Sequence, residues 1–76
     1  MKTIEQKLKQ VKEILHYWGE DDESTLESII VKPNGIICID SVQLSGFFIA
    51  DLLEHGYRCS LFASISISGY IKLFIE

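Results

Sequence analysis

The sequence predicts an α+β fold, a two-layer sandwich of order α-β-β-α-β-β. Its four-stranded, mainly antiparallel sheet would carry both helices on one face. Three features support this reading. Apolar residues recur at helical spacing near the start of the chain and again in its middle. Each of these stretches is followed by two short runs rich in β-branched residues. Glycines and a proline fall where elements would turn or end. A helix followed by a hairpin, twice over, buries its apolar faces most simply as helices laid on a sheet. The second helix would join strand two to a parallel strand three by a right-handed crossover.

The first helix starts at Thr3. Thr3 and Gln6 form a T-x-x-Q capping box, which satisfies two amides that the helix itself leaves unpaired. Ile4, Leu8, Val11, Leu15 and Trp18 make the buried stripe, widened by Ile14. Gly19 ends the helix. Lys2, Lys9, Lys12 and His16 lie on the opposite side, mixed with glutamates. Glu20 to Glu23 reads as a solvated acidic loop, because it lacks the alternating ligands of a calcium loop.

Leu26–Lys32 and Ile36–Asp40 read as the first two strands. Pro33-Asn34-Gly35 between them suits a three-residue loop with a glycine bulge. That loop pairs Lys32 with Ile36. Ile29, Val31, Ile37 and Ile39 then share one face, and Ile30, Ile36 and Cys38 the other.

The second helix is expected from Asp40-Ser41 to about His55, with Asp40 as N-cap and Gln43 reaching back to it. Leu44, Phe48, Ile49, Leu52 and Leu53 would form its buried arc, with small Ser45 letting it approach the sheet. Gly56 would supply the left-handed cap, and Tyr57 would pack back on Leu52. Phe47 falls on the polar side, where an apolar ring hints at a partner.

The third and fourth strands span about Tyr57–Ile67 and Tyr70–Ile75. A two-residue Ser68-Gly69 turn would mix apolar and polar residues on both faces. A loop of three or five residues sorts them. The three-residue form pairs Ile67 with Ile71, Ile65 with Leu73 and Ala63 with Ile75. A one-residue slip reverses every side chain, so an odd loop length is expected. The core face then takes Leu61, Ala63, Ile65, Ile67, Ile71, Leu73 and Ile75.

Composition narrows the function classes. The 76 residues form a single domain, 1–76, of formal charge −4. A chain this short buries about 60% of its unfolded surface and gains from a second subunit. Cys38 and Cys59 lie in strand-like runs without metal-ligand spacing and read as free buried thiols, which fits a reducing cytoplasm. No apolar run is long enough to span a membrane, and Thr3–Trp18 lacks the unbroken apolar core of a signal peptide. No phosphate loop, nucleophile elbow, cofactor motif or metal motif is present, so neither an enzyme nor a cofactor is expected.

The residues expected to bind a partner are Ile30, Ile36, Phe47, Phe62, Tyr70, Lys72 and Phe74. All but Phe47 fall on the outer sheet face, which is too apolar for a fully solvated one. The sequence therefore predicts a protein-interaction module, most simply one that forms a homodimer through the outer face or an edge strand. The alternative is a single-stranded nucleic-acid binder that stacks bases on Phe62, Tyr70 and Phe74. The acidic balance argues against it.

Overall fold

The structure, a computed structural model, describes residues 2–42, 44–63 and 71–76. Its elements are α1 (Ile4–Tyr17), α2 (Glu23–Glu27), β1 (Ile29–Val31), β2 (Ile37–Val42), α3 (Gly46–Glu54), β3 (Cys59–Ala63) and β4 (Ile71–Ile75). The four strands form one sheet in the order β1-β2-β4-β3. Every neighbouring pair is antiparallel. β2 and β3 are therefore parallel, with β4 between them. The last strand sits inside the sheet, and β1 and β3 are the edges among the described residues.

α1 begins as its sequence dictates. Thr3 Oγ1 accepts from the Gln6 amide at 3.1 Å, and Gln6 Oε1 accepts from the Thr3 amide at 2.9 Å. Its end is a Schellman turn. The Gly19 amide reaches His16 O at 3.0 Å, and the Glu20 amide reaches Leu15 O at 2.8 Å. α3 ends the same way, through Gly56 to Leu53 O and Tyr57 to Leu52 O.

The first hairpin matches the expected register. Ile29 faces Ile39 and Val31 faces Ile37. The Lys32 amide donates to Ile36 O at 2.9 Å, and Gly35 sits at φ +86°. β1 is shorter than expected, because Leu26 belongs to α2. Asp22 caps that helix, accepting the Thr25 hydroxyl at 2.5 Å and the Thr25 amide at 3.4 Å. The acidic stretch thus contains a cap where the sequence reading placed a plain loop.

Asp40 is not the N-cap of the next helix. β2 runs on through it to Val42, with one extra residue relative to β4 between Ile39 and Val42. The cap is Ser45, whose Oγ accepts from the Phe48 amide at 3.2 Å. Leu44 therefore precedes the helix, and Leu53 is exposed. The expected pairing with Gln43 lies outside the described residues.

In the second hairpin Ala63 faces Ile71, Leu61 faces Leu73 and Cys59 faces Ile75. The expected pairs Ala63–Ile75 and Ile65–Leu73 are therefore displaced by four positions. Displacement by an even number keeps the face sorting, and an odd number of residues separates Ala63 from Ile71. The Ser68-Gly69 turn, with Ser64, Ile65, Ser66, Ile67 and Tyr70, lies outside the described residues.

A single buried cluster joins Val11, Ile14 and Leu15 of α1, Phe48 and Leu52 of α3, and Ile37, Ile39, Leu73 and Ile75 of the two central strands. Leu61 and Ala63 were expected in it and are exposed. They belong to the edge strand, of which Cys59 alone packs against the cluster.

Candidate interaction surface

The even-numbered residues of β1, β3 and β4, with Cys38 of β2, make the second sheet surface. Ile30, Cys38, Phe74 and Ser60 stand opposite one another in a row across all four strands. In the next row Lys72 faces Phe62. Phe62 and Phe74 meet edge to face diagonally between β3 and β4, with centroids 5.5 Å apart. Cys38, flanked by Ile30 and Phe74, is only 3% exposed. Ile30 and Phe62 are 56% and 57% exposed. This surface is therefore a shielded centre with an apolar group projecting at either side. The Lys72 ammonium lies 3.9 Å from Asp40 Oδ2.

The structure brings Ile30, Phe62, Lys72 and Phe74 together on this surface. Ile36 sits half-buried at the hairpin turn, its amide donating to Asn34 Oδ1 at 3.1 Å. Phe47 does not join them. It projects from α3 and stacks on Trp18 at 5.3 Å. Tyr70 lies outside the described residues.

β3 is the barest element. Ser60 to Ala63 are all exposed, including Leu61 (50%). Leu61 and Phe62 point to opposite sides of the sheet, so this edge is apolar on both.

Sequence reasoning missed Tyr17 and Trp18. Helical periodicity puts Trp18 in the buried stripe, yet it caps α1 at the surface and packs edge to face with Tyr17 at 4.9 Å. A signal was present. Gly19 follows Trp18 directly, which marks Trp18 as the end of the helix rather than a residue within its buried stripe.

Several ionisable groups make contacts within the fold. The Lys7 ammonium donates to Gly35 O at 2.9 Å and Ile75 O at 2.8 Å, tying α1 to the first hairpin and to β4. Burial lowers its pKa below the ordinary lysine range, against the opposing pull of Glu76 and Cys59. Burial pushes both thiols up, with Lys72 opposing it at Cys38 and Lys7 at Cys59. A raised thiol pKa leaves little nucleophilic thiolate at neutral pH. His16 pairs with Asp21 at 2.7 Å, and His55 with Asp51 at 3.2 Å. Among the described residues, no three His, Cys, Asp or Glu side chains are grouped to hold a metal. No described helix is long and apolar enough to cross a membrane. Compared with protein-family models, with curated proteins and with solved structures, the chain gives no match.

Proposed function

We propose that the protein is a non-enzymatic interaction module that self-associates through β3 and the adjoining even-numbered surface. The observation that carries this is the exposed edge strand with Leu61 on one side and Phe62 on the other. An edge strand can pair with another chain, and apolar side chains on both faces favour covering it. A second copy offers the same strand, and two-fold pairing of identical edges covers β3 of both copies at once, with β1 left as the outer edge of each. The nucleic-acid reading draws less support. Lys72 sits near Asp40, and the Phe62 and Phe74 rings are engaged with each other.

Sedimentation equilibrium from micromolar to millimolar concentration tests this reading. The expected result is a concentration-dependent mass of twice the chain, reduced to one chain by Phe62→Lys with unchanged circular dichroism. A strictly monomeric wild-type protein, or a Phe62→Lys variant that dimerises equally well, would overturn it.

A further inference from the structure

A second surface lies between α1 and α3. It is an open cleft of about 560 Å³. Glu13 and Tyr17, one helical turn apart on α1, stand across it from Phe47, Ala50 and Glu54 on α3. Ala50 contributes only a methyl group, which leaves the middle hollow. Trp18 forms the end wall, stacked on Phe47 with the rings 15° from parallel. Its indole N–H donates to Asp51 Oδ2 at 2.9 Å, which fixes the ring. The other Asp51 oxygen lies 3.2 Å from His55 Nδ1.

Apart from His55, which pairs with Asp51, the ionisable groups of this lining that carry charge are acidic. Three carboxylates (Glu13, Asp51 and Glu54) surround the aromatic wall, and no lysine or arginine lines the cleft. Glu13 and Glu54 are exposed and form no ion pair among the described residues. Phe47 and Tyr17 are 68% and 74% exposed. Aromatic faces attract cations, and guanidinium groups also stack flat on such rings. Carboxylates beside the rings supply hydrogen-bond acceptors for the same group.

We infer that the α1–α3 cleft binds a cationic side chain, foremost arginine, carried on a basic segment of a partner protein. This goes beyond self-association and uses a different surface. Phe62 lies on the sheet, so Phe62→Lys leaves the cleft lining in place. Failure of one proposal is therefore distinguishable from failure of the other.

Trp18 is the only tryptophan, so its emission reports on the cleft directly. The full chain, as wild type and as Phe62→Lys, is titrated at low salt with a blocked triple-arginine peptide. The same peptide with citrulline at each arginine is the neutral control, and calorimetry on the same samples is a second readout. The expected result is saturable binding of the arginine peptide to both proteins, with none for the citrulline peptide. The exposed double variant Glu13→Gln/Glu54→Gln should bind at least about threefold more weakly, as loss of two exposed charge contacts implies. Absence of saturation by both readouts up to millimolar arginine peptide overturns the inference. Equal binding of the citrulline peptide, or undiminished binding by the double variant, also overturns it.

Discussion

Glu20 holds Ser45 by two hydrogen bonds. One carboxylate oxygen accepts the Ser45 amide at 2.8 Å, and the other accepts its hydroxyl at 2.6 Å. The same hydroxyl oxygen accepts the Phe48 amide and so starts α3. The residue that closes the Schellman turn of α1 therefore fixes where α3 begins.

Two substitutions test this clamp. Ser45→Ala removes both the cap and the hydroxyl's donation to Glu20, and should cost about 1–2 kcal/mol in urea unfolding. Glu20→Gln keeps the shape but loses the charge on the acceptor, and should cost less. Because both act on one network, the double variant should cost less than the sum of the two.

Lys7 gives a pH signature. Its folded pKa is lowered, so the unfolded chain holds the extra proton between that lowered value and 10.5. Stability contributed by this group therefore rises with pH across that window. The stability difference between wild type and Lys7→Met, from denaturant unfolding at several alkaline pH values, should grow in favour of the wild type as pH increases. The thiols act in the opposite sense above 9.0, because their raised folded values keep protons on the native state. Both proteins carry them, so the difference isolates Lys7 apart from its own effect on Cys59.

Asp22 acts at the acid end. The Thr25 hydroxyl, with help from the Thr25 amide, holds its carboxyl below the ordinary value of 3.8. Its contribution is present above 3.8 and is lost as pH falls through the lowered folded value. The Asp22→Asn side chain would still cap the helix but would not titrate. Thermal unfolding of the two proteins should therefore differ most in pH dependence below 3.8, with only the wild type losing this contribution.

Gly56 sits at φ +88°, and a Cβ added there would meet nothing within 4 Å. The cost of Gly56→Ala is therefore that of the backbone alone, about 1–2 kcal/mol. A chemically synthesised chain with D-alanine at this position should be at least as stable as wild type. Thermal melts of the two would separate backbone strain from lost contacts.

The thiols should be slow to react. Cys38 is buried, Cys59 is half-buried, and burial raises both pKa values. A disulfide-exchange reagent at neutral pH should modify Cys59 before Cys38, and should modify both rapidly in denaturant. Fast native labelling of Cys38 would contradict its shielding between Ile30 and Phe74.

Local chemistry was legible where a single stretch decides the outcome. Thr3-Gln6, Pro33-Asn34-Gly35 and Gly56-Tyr57 each act within a few residues, and each folds as the sequence implies. The start of α3 was not legible, because Ser45 is chosen partly by Glu20, 25 positions away. Asp40 offered an equally good cap by sequence, but its neighbours were drawn into pairing with β4. The surfaces show the same division. Strand alternation placed Ile30, Phe62, Lys72 and Phe74 together, whereas the meeting of Trp18 with Phe47 depends on how two helices cross. Periodicity alone does not fix that crossing.

The central place of β4 governs the order in which the molecule can assemble. β2 and β3 have no common neighbour until Ile71–Ile75 has been synthesised. Lys7 likewise waits for the Ile75 carbonyl, 68 positions later. A nascent chain can form α1 and the first hairpin early, but its sheet stays in separate pieces. Folding is thus a nonlocal event that closes around β4, with the slower kinetics that long-range pairing entails.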